Sequence, residues 1–234
     1  MQFKFLKEGA LVIGKTLIIG DLHIGIETDF ASKGVTIPYQ TEKIQKQISK
    51  LVKQNKIKHL VFLGDLRHKL PLPSRQEQRE VPEFLEYFTK KCKVSIIKGN
   101  HDGELEKLVP KQIEVYPSAG FIENEILFTH GRNKSMKGKY NTIIMSHIHP
   151  SIEFWSSGIR MVEPAWVRTK LKDTDTEVII LPSFTHLRGG AAINSSNFKS
   201  KCPILKKADL PNSDIYLLDG TYLGKLKDLR IRNK

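Results

Sequence analysis

The motif Gly20-Asp21-Leu22-His23 closes an apolar run, and its Asp21 and His23 stand two residues apart. Side chains two apart point the same way along an extended segment. A carboxylate and an imidazole are thus presented together, two good ligands for a divalent metal ion. The design recurs down the chain. Gly64-Asp65 follows the apolar segment His59–Leu63, and Gly99-Asn100-His101-Asp102 follows Lys93–Ile97. His130-Gly131 follows Ile126–Thr129, and Ser146-His147-Ile148-His149 follows Thr142–Met145. Five of the eight histidines fall in these motifs, which a chance scatter would not produce. Mixed oxygen and imidazole donors suit Mn²⁺, Fe or Zn²⁺ better than Ca²⁺, and no cysteine lies among them to select zinc.

The elements that must position these groups are readable from periodicity. Residues 3–6 and 10–13 form an expected hairpin, and the run at 17–19 a buried strand. Residues 29–37 read as a loop. Residues 41–55 read as an amphipathic helix, with Ile44, Ile48, Leu51 and Val52 on one face. A second helix is expected at 81–91, with Pro82 in its first turn. Strand, helix, strand, helix, strand therefore repeat, and each strand ends in glycine or in glycine and an acid. That alternation predicts an α/β layered fold with ligands at the carboxyl ends of the strands. The second half is richer in strands, at 113–116, 120–122, Ile126–Thr129, Thr142–Met145, 152–155, 161–167 and 178–181. Residues 184–210 are less regular, and a hairpin around Asp219-Gly220 closes the chain. His59 is expected to be structural, and Trp155 and Trp166 to lie in the core.

The 234 residues, 39% of them hydrophobic, suit one sizeable domain, 1–234, with residues 151–210 able to form a small cap or insertion. Cys92 and Cys202 are far apart, so the expected home is the reducing cytoplasm. The opening segment interleaves charges with apolar residues, unlike a secretory signal, and no apolar run approaches the roughly 20 residues that span a bilayer. A formal net charge of +13 favours polyanionic partners such as nucleic acid.

Taken in order, Asp-x-His, Gly-Asp-x-x-His, Gly-Asn-His-Asp, His-Gly and His-x-His across roughly residues 17–150 resemble the calcineurin-like metallophosphoesterases. The wording of the first and third motifs looks closest to archaeal phosphoesterases related to SbcD-type nucleases. Two positions depart from the usual pattern: His68 stands where the second motif usually ends in aspartate, and Ser146 where the fifth usually opens with glycine. The resemblance implies a four-layered αββα sandwich holding two divalent metal ions, Mn²⁺ foremost, with Ni²⁺, Fe or Zn²⁺ as alternatives. Asp21, His23, Asp65 and His149 would hold one ion and Asp65, Asn100, His130 and His147 the other, with Asp65 bridging. His101 would protonate the leaving alcohol, and Asp102 would orient its ring.

The expected activity is hydrolysis of phosphodiester bonds in nucleotides or nucleic acid. The alternatives are a phosphomonoesterase and a metal-bound nucleic-acid-binding subunit of a repair complex. Arg67, His68, Arg132, His186 and Arg188 are candidate substrate contacts, and Arg132, Lys134, Lys137 and Lys139 a candidate phosphate-gripping arm. The partners this implies are a nucleotide or nucleic-acid substrate and no membrane, with a homo-oligomer and a DNA-repair protein partner as open possibilities.

Overall fold

The computed structural model describes residues 2–133, 137–185, 187, 189–200 and 202–231. Two sheets lie face to face. The first has six strands in chain order: β1 (Phe3–Phe5), β2 (Leu11–Ile13), β3 (Thr16–Ile19), β4 (His59–Leu63), β5 (Lys93–Ile97) and β6 (Glu114–Tyr116). The hairpin β1–β2 and its neighbour β3 are antiparallel, and β3 to β6 run parallel. Three helices belong to this half: α1 (Glu27–Ser32), α2 (Thr41–Gln54) and α3 (Arg75–Thr89).

The second sheet takes β7 (Phe121–Glu123), β8 (Ile126–Thr129), β9 (Thr142–Met145), β10 (Pro150–Ser156), β11 (Ile159–Lys170), β12 (Glu177–Ile180) and β13 (Ala191–Ala192), in the order β13-β10-β11-β12-β9-β8-β7. The hairpin β14 (Asp214–Leu217) and β15 (Tyr222–Lys225) joins it through β11. Here β8, β9 and β12 run parallel. A short helix, α4 (Pro203–Lys207), lies in its outer layer.

Side-chain alternation along the strands builds the layers. Ile18, Val61, Leu63, Ile97, Phe128, Ile144 and Ile179 point between the sheets and make one apolar layer with Trp166. The alternate residues Leu17, Ile19, Leu60, Phe62 and Ile96 face outward, where Ile48 and Leu51 of α2 and Phe84, Leu85 and Phe88 of α3 cover them. On the far side Leu127, Ile143, Met145, Val178 and Ile180 meet Ile204 and Leu205 of α4. A period of two therefore decides which layer each residue enters. Strands buried on both faces read as the continuous apolar runs seen in the sequence. The fold is the expected αββα sandwich.

Three local readings need correction. The stretch expected as a loop at 29–37 begins inside α1. The helix expected at 81–91 starts six residues earlier, because Ser74 caps it: Ser74 Oγ accepts from Glu77 N, and Glu77 Oε2 accepts from Ser74 N at 2.6 Å. Pro82 thus sits inside α3 rather than in its first turn. Trp155, expected in the core, is 57% exposed on the β10–β11 hairpin, whereas Trp166 is buried. Residues 151–210 contribute β11 and β12 to the second sheet, together with nearly all of β10. His59 lies beside Ser95 Oγ at 2.9 Å across the first sheet.

Candidate metal centre

The carboxyl ends of β3, β4 and β5 meet those of β8 and β9, so the five motif loops converge on one place. Each chain turn there is sharp. Asp21, His23, Asp65, His147 and His149 all hold positive φ, between 44° and 76°. Aspartate and histidine tolerate that conformation better than most residues, and such strain clusters at functional sites. Glycines make the approach possible. A Cβ on Gly99 would collide with Asp65, and one on Gly64 with the His130 ring, at a backbone φ of +83°.

Two groups of ligand atoms that share a residue result, beside a third of His23, His68 and His101. Those of Asp21, His23, Asp65 and His149 all lie within 4.8 Å of one another, and so do those of Asp65, His130 and His147. Asp65 belongs to both. His130 Nδ1 donates to the Leu63 carbonyl at 2.8 Å, which leaves Nε2 to face Asn100 Oδ1 at 3.2 Å and Asp65 Oδ2 at 3.6 Å. His147 Nδ1 stands 3.0 Å from that same nitrogen, and His149 Nε2 stands 3.3 Å from Asp21 Oδ2. Asp21, His23 and His130 are fully buried.

Metal ions fit these residues. Asp21 Oδ1 and His23 Nε2 are buried with no hydrogen-bond partner. A buried carboxylate oxygen and imidazole nitrogen left in that state would be costly, and a cation removes the cost. Protonation agrees. Burial pushes His23 down to about 2 against the opposing Asp21 charge, and pushes His147 down to about 4, aided by His130. Burial would raise Asp21, but His149 foremost, then His130 and His23, hold it well below the usual carboxylate range. Neutral imidazoles beside an ionised carboxylate are the protonation states that ligate a cation.

The remaining expected site residues are spread more widely. His101 is 9% exposed, and its Nδ1 donates to the His68 carbonyl at 2.5 Å. The partner expected for that ring, Asp102, is engaged elsewhere: its oxygens accept from Gly99 N at 2.8 Å and Arg67 N at 3.2 Å. Burial and the Asp65 charge beside it push the Asp102 carboxyl up to about 6. Arg67 is fully buried, and its guanidinium donates to the carbonyls of Lys69, Pro71 and Gly103 rather than facing a substrate. His68 is also buried, between Asp29 and His23. Arg132 is exposed and near enough for its charge to act on His147. His186, Arg188 and Lys134 lie outside the described residues. The end of the basic arm at Gly138 and Lys139 lies away from the centre. Lys139 pairs with Glu125 at 3.0 Å, at the amino end of β8, and a Cβ on Gly138 would collide with Ile122 of β7.

Three further residues support the site. Ser146 Oγ donates to the Leu63 carbonyl at 2.6 Å and lies 3.2 Å from His130 Nδ1. Ser183 Oγ donates to the Asp21 carbonyl at 3.0 Å. Glu77 Oε1 accepts from His68 N and Lys69 N, both at 2.7 Å. Ser146 is legible as a departure from the fifth motif, Ser183 has no signal, and the spacing Ser-x-x-Glu at Glu77 speaks of the helix start rather than of the loop it grips.

Residues 14–210 match the family model described as calcineurin-like phosphoesterase. Among solved structures, the nuclease MPE of Pseudomonas putida superposes with a TM-score of 0.63 at 22% identity, covering 94% of each chain, a likeness of fold. The phosphoesterase Yfce of E. coli superposes more loosely, with a TM-score of 0.44 at 15% identity, over 90% of this chain and 97% of its own. No curated protein matches the sequence significantly. No helix among the described residues is long and apolar enough to cross a membrane.

Proposed function

We propose that this chain, which belongs to the calcineurin-like phosphoesterase family, is a two-metal phosphodiesterase acting on nucleotides or nucleic acid. One observation carries the reading: two clusters of metal-type ligands share Asp65, whose Oδ2 lies 4.0 Å from His23 Nε2 and 3.6 Å from His130 Nε2. Asp21, His23, Asp65 and His149 would hold one cation, and Asp65, Asn100, His130 and His147 the other. Cations bound by these residues would supply a more acidic attacking water and positive charge to offset that on the phosphoryl oxygens.

The chain's own groups supply the rest. His101 commits Nδ1–H to a carbonyl, so a proton on its Nε2 is the one offered to a leaving alkoxide. Asp102 stiffens the turn that carries Asn100 and His101 by accepting two backbone N–H groups. Arg132, exposed near His147, is the described cation best placed to meet a phosphate.

The preference for diesters over monoesters has three supports. The net charge is +13, which favours polyanions. The similar fold from P. putida is a nuclease by name. A cavity of about 370 Å³ opens beside His149, lined among others by Ser151, Val162, Glu163, Pro164 and Thr185. That volume lies within the range of about 300–1,000 Å³ of small-ligand sites. We further read the chain as one domain, SbcD-related, using Mn²⁺, and cytoplasmic on the strength of its two free cysteines.

The deciding experiment is a metal-by-substrate panel. Metal-free protein is assayed with Mn²⁺, Ni²⁺, Zn²⁺ and Mg²⁺ on thymidine 5′-(p-nitrophenyl) phosphate, p-nitrophenyl phosphate, cyclic nucleotides, and single- and double-stranded DNA and RNA. The expected result is Mn²⁺-dependent cleavage of diesters well above the monoester. Full activity in excess chelator overturns the metal reading, and a faster monoester overturns the diester preference.

A further inference from the structure

His68 stands outside both clusters that share Asp65, yet its ring is held on two sides. Its Nε2 lies 2.8 Å from Asp29 Oδ2 of α1, and its Nδ1 lies 3.3 Å from His23 Nδ1. An ionised carboxylate only accepts, so His68 Nε2 carries a proton. A neutral His68 then offers a lone pair on Nδ1, and His23 Nδ1 must be the donor. His23 is left with a bare Nε2. That nitrogen is buried without a hydrogen-bond partner and lies 4.0 Å from Asp65 Oδ2. The opposite arrangement, with His68 doubly protonated, would put the proton of His23 on Nε2, a buried N–H with no acceptor.

We propose that Asp29 is a positioning residue: acting through His68, it fixes the tautomer and ring plane of His23 so that Nε2 presents its lone pair to the first metal ion. The inference deepens the metal-centre reading above and rests on it. It also gives His68 a role other than substrate contact. The relay is supported from two places: Glu77 grips the backbone of His68 and Lys69, and the His68 ring stacks on that of His101 at 5.4 Å between centroids. Lys69 Nζ meets only the other oxygen of Asp29, Oδ1, at 3.1 Å. Groups that orient a ligating histidine typically change metal affinity 10–100-fold when removed.

The test uses the full chain, freed of metal by chelation, with two readouts. Titration with Mn²⁺, followed by the signal of the free ion, gives the affinity. Long-range ¹H–¹⁵N spectra of labelled histidine give the tautomer of His23 directly. Asp29→Ala should weaken the tighter Mn²⁺ site about tenfold or more, and His23 should lose its single Nδ1–H form. Asp29→Asn keeps an acceptor and should recover part of both. Lys69→Ala, which removes only the neighbour on the other oxygen, should stay within about twofold of wild type in affinity. Unchanged affinity together with an unchanged tautomer in Asp29→Ala overturns the proposal. So does uptake of a third Mn²⁺ with His68 as ligand, an alternative that the closeness of His23, His68 and His101 makes concrete. If wild type binds no Mn²⁺ at all, the metal-centre reading fails, while the tautomer spectra still decide whether Asp29 orders His23.

Discussion

The backbone N–H of His101 donates to Asp65 Oδ1 at 2.7 Å, although the two residues are 36 apart in sequence. One carboxylate oxygen is thereby occupied, and the other, Oδ2, is turned towards the Nε2 atoms of both His23 and His130. The third motif thus orients the shared ligand of the second. It also follows that Oδ2 alone is placed to serve both clusters.

Asp65→Ala should therefore lose at least one of two metal ions and nearly all turnover. Asp65→Asn keeps the acceptor for His101 N but replaces an anion by a neutral amide, so it should retain the fold and still lose metal. Elemental analysis of the purified variants checks this, and two full equivalents in Asp65→Ala would remove the bridging assignment.

Arg67 is a structural clamp. Truncation would remove the donor shared by the carbonyls of Lys69, Pro71 and Gly103. At about 1 kcal/mol for each hydrogen bond lost, Arg67→Ala should cost roughly 3 kcal/mol. Arg67→Lys, with no planar fork, should recover little of it. Chemical denaturation measures the loss. A variant of wild-type stability with a raised KM would instead make Arg67 a substrate contact.

Arg132 and Lys139 should behave differently. Lys139 is tied to Glu125 at the opposite end of β8 from His130, and a four-residue strand is about 13 Å long. Arg132→Ala should raise KM for an oligonucleotide, with an effect that shrinks as salt rises. Lys139→Ala should change it little. Steady-state kinetics at two salt concentrations separate them, and equal losses would mean that the arm closes over the substrate.

Metal-free protein should be acid-sensitive. His23 and His147 are held neutral in the fold, at about 2 and about 4, and take up protons near 6.5 once unfolded. Stability from these groups is present above pH 6.5 and is lost as pH falls below it. Asp102 works the other way: folded, it takes its proton near 6, and unfolded only near 3.8. Between about pH 6 and 4 the two histidines outweigh the one carboxyl by at most one proton, or about 1.4 kcal/mol per pH unit. Partial exposure of His147 lowers that figure. Tm measured from pH 7 to 4.5 should fall for the metal-free protein, and a rise would contradict the assignment of neutral histidines.

Local chemistry made much of this molecule legible in its sequence. Apolar runs such as His59–Leu63 and Thr142–Met145 are strands because a strand buried on both faces needs apolar residues on both, and glycine with aspartate or histidine marks the sharp turn that ends them. Those turns bring the ligand-type side chains to one edge, so Asp21, His23, Asp65, His130, His147 and His149 could be picked out without coordinates. Tertiary structure alone decided what each polar group faces. Arg67 reads as a substrate contact until Gly103 and Pro71 are seen around its guanidinium. Asp102 reads as the orienter of His101 until the His68 carbonyl is found in that place. Lys139 reads as part of an arm over the metals until Glu125 claims it, and Asp29 carries no signal at all. Hydrogen bonds such as Arg67 to Gly103, His101 to His68 and His68 to Asp29, between residues 33 to 39 apart, depend on where two loops are brought by the sheets beneath them, and neither composition nor spacing along the chain records that meeting.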